Sequence, residues 1–246
     1  MTLRERVRAG ESTRGTFLNL GSTGAAEVCA LAGFDWLLVD LEHGAGGEDG
    51  LVSQLLAGAA HGVPILARVE SPERIRVGHV LDLGAAGVMF PRLDTPDQVR
   101  EAINHLWYPP QGDRGIAGYN RARQFGGDGL ANESVNAALL GVVQIETAPA
   151  LENVSEIASI PGVDVLFVGP SDLSMALGIP GQFDHPTLLT AFDEVIGAAR
   201  DAGIGAGILA VTPDRVGALA SRGFTFIGVG SDSSLLRVAA KAAALT

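Results

Sequence analysis

Eight short apolar runs recur along this chain, each followed by a stretch with helical spacing, and that alternation is what most limits the folds open to it. The runs are residues 15–20, 36–42, 64–69, 87–93, 142–147, 165–169, 205–210 and 224–229. They are rich in Val, Ile, Leu and Phe without polar alternation, which marks strands buried on both faces, as in parallel sheets. Residues 97–106 and 189–202 between them carry apolar side chains at helical spacing. Ser71-Pro72-Glu73, Thr95-Pro96-Asp97 and Thr212-Pro213-Asp214 each set a hydroxyl before a proline, the combination that starts a helix. Gly33, Gly84 and Gly203 read as helix ends. Eight strand–helix units in 246 residues predict one closed (β/α)₈ barrel, a TIM barrel spanning the whole chain. An open doubly wound sheet is the alternative, but the first strand lacks the G-x-G-x-x-G turn of a dinucleotide binder.

In such a barrel the chemistry gathers where the strands end. Val142-Val143-Gln144-Ile145-Glu146 and Val165-Leu166-Phe167-Val168-Gly169-Pro170-Ser171-Asp172 each run an apolar strand into a carboxylate. If the two strands are parallel neighbours, Glu146 and Asp172 emerge side by side. Converging carboxylates repel, and a hard divalent cation relieves that repulsion while water or substrate fills its other positions. Asp172 has a second reading, as the cap of the helix that follows. The other strand ends supply Asp40, Glu42, His43 and Arg68. Taken alone, Arg68 reads equally as a surface ion-pair partner and His43 as a loop histidine beside Gly44-Ala45-Gly46-Gly47. That glycine run lacks the Lys-Ser/Thr of a phosphate loop. His61, His79, His105 and His185 fall away from strand ends and are assigned no role.

Composition excludes several classes. A net charge of -11 argues against nucleic acid and anionic membranes as partners. One cysteine, Cys29, lies in an apolar helical stretch and reads as core, and no disulfide framework exists. The first residues are charged with no apolar run after them, so the expectation is a soluble cytoplasmic protein. Residues 107–130 break the rhythm with a long loop containing Tyr108, Arg114, Tyr119, Arg121 and Arg123, expected to act as a lid or an interface element.

Four ordered segments carry a family resemblance. Phe34-Asp35-Trp36-Leu37-Leu38-Val39-Asp40-Leu41-Glu42-His43, Tyr108-Pro109-Pro110-Gln111-Gly112-Asp113-Arg114-Gly115, Gln144-Ile145-Glu146 and Phe167-Val168-Gly169-Pro170-Ser171-Asp172-Leu173-Ser174 resemble the HpcH/HpaI aldolases, over about residues 15–229. That family includes the 4-hydroxy-2-oxoheptanedioate and 2-keto-3-deoxy sugar-acid aldolases. The resemblance implies a phosphoenolpyruvate/pyruvate-aldolase type of TIM barrel and a class II aldolase, an aldehyde-lyase. Such an enzyme reversibly splits a 4-hydroxy-2-oxo acid into pyruvate and an aldehyde through a metal-bound enolate. It implies Glu146 and Asp172 as metal ligands, Arg68 as enolate stabiliser, and His43 with Asp40 as the proton-handling pair, directly or through a metal-bound water. Gln144, Gly169, Ser171, Asp172, Phe17 and Leu209 are implied to bind substrate. Phe17 stands where some members have tryptophan and Leu41 where others have glycine, departures that bear on the aldehyde acceptor.

The residues support this chemistry on their own terms. A cation and a fixed guanidinium both stabilise charge on the C2 oxygen of an enolate, and N–H groups at Ser171 and Asp172 suit a carboxylate. A lysine Schiff base is rejected, because the one lysine, Lys241, lies near the end of a C-terminal helical run. Two carboxylates accept Mg²⁺, Mn²⁺ or Co²⁺ alike. A citryl- or malyl-CoA lyase-like enzyme is the alternative, although the compact chain shows no elements for CoA; an inactive barrel serving as a binding protein is a second. Residues 232–246, rich in small and apolar side chains with little charge, predict a C-terminal helix, either an ordinary eighth barrel helix on its own strand or one packed on a neighbouring subunit, the arrangement that the family resemblance implies. Family resemblance implies a homo-oligomer, a trimer-based hexamer.

Overall fold

In the computed structural model eight parallel strands close into one barrel in chain order. The structure describes residues 1–127 and 129–245; Asp128 in the long loop and Thr246 at the chain end lie outside the described residues. The strands are β1 (Thr13–Leu18), β2 (Trp36–Asp40), β3 (Ile65–Arg68), β4 (Gly87–Phe90), β5 (Leu140–Ile145), β6 (Val165–Val168), β7 (Gly205–Ala210) and β8 (Phe226–Ser231). Helical segments lie between successive strands, and β8 pairs back onto β1. No helix among the described residues is long and apolar enough to cross a membrane.

Two cores form because strand side chains alternate between faces. Phe17, Trp36, Leu38, Leu66, Val142 and Phe167 are among those that point inward and fill the barrel, with Leu3 and Val7 of the helix Leu3–Arg8 packed against them. Their strand neighbours, such as Leu37, Val39, Val143 and Val168, point outward and pack in the larger core with residues of the surrounding helices. Trp36 stacks on Phe226 with ring centroids 4.1 Å apart. Gly15 is paired with Trp36 across β1 and β2, and a Cβ at Gly15 would collide with the indole ring.

The expected strands are all present, with ends shifted for local reasons. β2 stops at Asp40, short of Glu42, because the Asp40 carboxylate accepts from the N–H groups of Glu42 and His43. β4 stops at Phe90, because Pro91 has no N–H and Arg92 takes a left-handed φ of 51°. β5 begins two residues early, and Thr147 has left it to cap the helix Ala148–Glu152. Phe224, expected to open the last strand, instead packs edge-on to Phe192. Of the three predicted starts, Thr95 caps its helix with a full capping box. Thr212 opens a 3₁₀ turn. The helix after Ser71 begins only at Arg74, with Glu73 at its cap.

Among the described residues, none of the long loop lines the cavity at the mouth of the barrel. Arg114 and Ala122 line a cavity at its opposite end, beside Leu3, Pro64 and Ile65. Arg114 anchors the loop: its side chain is only 1% exposed, lies over the Tyr108 ring at 4.4 Å and donates to Asp82 at 2.6 Å. The last helix, Asp232–Ala244, is tied to the barrel at its start. Asp232 is buried and accepts from the N–H groups of Asn19 and Leu20. From Leu236 to Leu245 every residue is exposed.

Gly15→Ala should therefore cost about 2 kcal/mol through overpacking against Trp36, read as a fall of roughly 4–8 °C in melting temperature. An unchanged melting temperature would show that the barrel interior repacks freely.

Candidate active site

The inward-facing series of β2, β3 and β5 end in polar groups at the C-terminal mouth. Trp36 and Leu38 face in, so the next inward position is Asp40; Leu66 is followed by Arg68; Val142 is followed by Gln144 and then Glu146. The β2–β3 register pairs Asp40 directly with Arg68. Their side chains meet as a two-pronged pair, Arg68 Nε to Asp40 Oδ1 at 2.9 Å and Nη2 to Oδ2 at 2.7 Å. Arg68 Nη1 also reaches Glu42 at 3.1 Å and, at 3.5 Å, Gln144 Oε1. Phe17 lies against the guanidinium at 5.4 Å. Burial works to lower the Arg68 pKa, but the hydrogen-bonded Asp40 and the fields of Asp40, Glu42 and Glu146 outweigh it and raise it. Arg68 is a permanent cation.

Glu146 is held from both sides. Its Oε1 accepts the Arg92 N–H at 2.9 Å, and its Oε2 accepts from Gln144 Nε2 at 3.0 Å. Gly169 makes the space, since a Cβ there would stand 2.9 Å from Glu146 Oε2. Burial raises the Glu146 pKa, the Arg92 N–H opposes the rise, and Asp172 and Glu42 add to it. Arg68 is already engaged with Asp40, so the repulsion between Glu146 and Asp172 is left for another positive charge to relieve.

A cavity of about 360 Å³ opens over these groups. Every sequence-predicted site residue lines it except Glu146: His43, Arg68, Asp40, Gln144, Gly169, Ser171, Asp172, Phe17 and Leu209. Glu146 lies beneath, against Gln144 and Gly169. Asp172 sits in the first turn of the helix Pro170–Ala176, whose cap position is Gly169, so capping is not its role. Among the described residues no group of three or more His, Cys, Asp or Glu gathers around a common point. The candidate ligand set stays at the two carboxylates.

One expected pairing is corrected. Asp40 meets His43 only through the His43 backbone N–H, at 3.2 Å, because both carboxylate oxygens are committed to Arg68. The imidazole Nε2 instead lies 3.7 Å from Glu42, with the side chain 70% exposed at the mouth.

Comparison with known proteins agrees with this geometry. Residues 14–239 match the family model described as HpcH/HpaI aldolase/citrate lyase. A hydroxypyruvate/pyruvate aldolase from Paraburkholderia phytofirmans is 39% identical over 236 residues, 94% of this chain and 91% of that protein. A 2-keto-3-deoxy-L-rhamnonate aldolase from Escherichia coli is 38% identical over 234 residues, 94% and 87% of the two chains. A crystal structure of a family member from Burkholderia cenocepacia J2315 superposes with a TM-score of 0.94 at 38% identity, covering 99% and 97%.

The chain belongs to the HpcH/HpaI aldolase/citrate lyase family. As an HpcH/HpaI aldolase it is a carbon–carbon lyase, and its TIM barrel matches the expectation drawn from its strand rhythm.

Sequence reasoning missed three contributors to this aldolase site. Arg92 acts through its backbone N–H, for which side-chain patterns give no signal. Asn19 and Ser231 reach the cavity from the ends of β1 and β8, where only the closure of the barrel brings them to the mouth.

The raised Glu146 pKa has a consequence for stability. An acid whose folded pKa lies above its unfolded value penalises folding above that folded pKa, and the penalty is relieved as the pH falls through it. In metal-free protein, the stability of Glu146→Gln relative to wild type should be greatest at neutral pH and shrink on acidification into the carboxylate range. Thermal melts across pH measure this; a pH-independent difference would contradict the assignment.

Proposed function

We propose that this aldolase reversibly cleaves a 4-hydroxy-2-oxo acid to pyruvate and an aldehyde, with a divalent cation held by Glu146 and Asp172. The observation that carries the reading is the combination of a clamped guanidinium, Arg68, with a buried carboxylate, Glu146, whose neighbours Asp172 and Glu42 are also acidic. The residues fit such an ion: the donors are carboxylate oxygens, the choice of a hard cation such as Mg²⁺, Mn²⁺ or Co²⁺. Gly169 leaves one Glu146 oxygen without a side chain over it. When bound, the ion supplies Lewis-acid stabilisation of charge at the ketone oxygen.

The chain's own residues do the rest. Arg68, fixed in place by Asp40, holds a permanent positive charge toward the oxygen on which enolate charge develops, at no cost in reorganisation. First-turn N–H groups of Ser171 and Asp172 have no helical acceptor and face the 2-oxo acid carboxylate. Phe17 and Leu209 form the apolar wall for C3. His43 at the mouth takes the 4-hydroxyl proton on its imidazole, with Glu42 stabilising the imidazolium. As that proton leaves, the C3–C4 bond breaks, C4 becomes the aldehyde carbonyl and the electron pair passes into the C2–C3 enolate. Protonation at C3 then yields pyruvate. Run backwards, the same groups add pyruvate to an aldehyde.

The assembly is proposed to be a homo-oligomer, of the trimer-based hexamer type, joined through the helix Asp232–Ala244. Leu236 and Val238 on that helix are 62% and 58% exposed, and Val28 and Leu31 are exposed on the helix Thr23–Leu31, which it contacts. An apolar face of that kind is covered in a stable protein. Arg114 and Ala122 hold the long loop at the opposite end of the barrel, where it serves this assembly better than a lid.

Pyruvate release from a panel of 4-hydroxy-2-oxo acids tests the reaction, with a CoA-ester panel as the competing arm. Turnover should vanish with EDTA, return with Mg²⁺, Mn²⁺ or Co²⁺, and be lost in folded Glu146→Gln and Asp172→Asn. Arg68→Lys keeps a charge but loses the planar fork and should slow pyruvate C3 proton exchange by about 10²-fold. Cleavage of CoA esters alone would overturn the proposal, as would full activity in either carboxylate variant.

Light scattering tests the assembly. A mass near 25.3 kDa, that of one chain, at micromolar concentration would refute it.

A further inference from the structure

The turn after β4 carries backbone strain in contact with the site. Among the described residues, three other than glycine have positive φ, and two of them, Gln124 and Phe125, belong to the exposed loop. The third is Arg92, with φ 51°. An L-residue in this region costs on the order of 1–2 kcal/mol. Nothing at the guanidinium explains the cost: among the described residues the Arg92 side chain makes no ion pair and no hydrogen bond. It lies exposed over a cavity rimmed by Glu42, Glu70, Glu73 and Glu101. Pro91 and Leu93 on either side are buried, which pins the turn in place. What the conformation accomplishes is to aim the Arg92 N–H at Glu146 Oε1, 2.9 Å away.

We propose that Arg92 is a positioning residue whose left-handed backbone orients Glu146 as a cation ligand. The inference rests on the proposed metal reading for its function but not for its geometry. Glu146 has two oxygens and two protein donors, one on each. The Gln144 amide holds Oε2 from within the same strand end, and Gln144 is itself tied to Arg68. Without the Arg92 N–H, the Glu146 carboxylate is held at Oε2 alone, and its soft terminal torsion leaves the carboxylate plane less well fixed. With it, the carboxylate plane is set before any ligand arrives. A hydrogen bond to a charged oxygen is the stronger kind, so its loss registers in ligand affinity.

Three substitutions separate backbone from side chain. Arg92→Gly keeps the N–H and adopts positive φ without strain. Arg92→Pro removes the N–H and fixes φ near −65°. Arg92→Val keeps the N–H but, being β-branched, resists the left-handed region. Mn²⁺ binding to the full-length protein, followed by electron paramagnetic resonance, should give a Kd for Arg92→Gly within about twofold of wild type. Arg92→Val and Arg92→Pro should weaken it, the proline by on the order of tenfold or more. A metal-free readout runs beside this. The fall in melting temperature caused by Arg92→Pro should be less than half as large in a Glu146→Ala background, because the two groups are coupled. Equal weakening by glycine and proline would assign the effect to the guanidinium and overturn the proposal. So would wild-type affinity in Arg92→Pro, or strictly additive melting temperatures. If wild-type protein binds no Mn²⁺ while the coupling in melting temperature persists, the metal reading fails and the positioning of Glu146 by Arg92 stands.

Discussion

The pairing of Asp40 with Arg68 is the interaction around which the mouth of this barrel is organised. It follows from the β2–β3 register, which sets the last residue of one strand beside the last residue of the next. Both side chains continue inward-facing series, so they converge over the barrel and not over the helices. Once paired, each does a second job. Asp40 accepts the N–H groups of Glu42 and His43 and so ends β2 in a tight turn. Arg68 reaches Gln144, which in turn holds Glu146. A chain of side-chain contacts thus runs from β2 through β3 to the end of β5, and shifting one strand by a residue would turn its member outward.

That chain also sets the electrostatics. Asp40, Glu42 and Glu146 gather around the guanidinium of Arg68, and Asp172 adds its field at Glu146. The pair with Asp40 keeps Arg68 charged but spends most of its neutralising power. Glu146 is therefore left buried near other acids, with a backbone N–H as its main local relief. The site is thus short of positive charge, which is the electrostatic condition on which the proposed cation site rests.

Much of this was readable in the sequence, for a definable reason. Asp40, Arg68, Glu146 and Asp172 each follow an apolar run, and in a parallel barrel that position fixes both the end and the face on which a residue emerges. The strand rhythm carried the closed barrel in the same way. What escaped was set by backbone conformation or by competition for a partner. Arg92 contributes an N–H through a left-handed turn, and its identity as arginine carries no trace of that. The family resemblance joins His43 to Asp40, yet the Asp40 carboxylate is paired with Arg68 and the imidazole turns to Glu42. Between the two roles expected of the long loop, lid or interface element, its residues did not choose; Arg114 packs on Asp82 and Tyr108 at the far end of the barrel.

The division of the barrel into two halves explains how so many like charges are tolerated. Below the mouth, the interior is filled by Trp36 stacked on Phe226, by Phe167, and by Leu3 and Val7 closing the N-terminal end. Burial of that apolar surface, at about 25 cal/mol per Å², stabilises the scaffold independently of the groups above it. Parallel strands hydrogen-bonded all round leave no edge to open. The carboxylates at the top therefore repel one another on a frame that does not yield, so the strain is retained in the folded state and is available to whatever positive charge the site takes up.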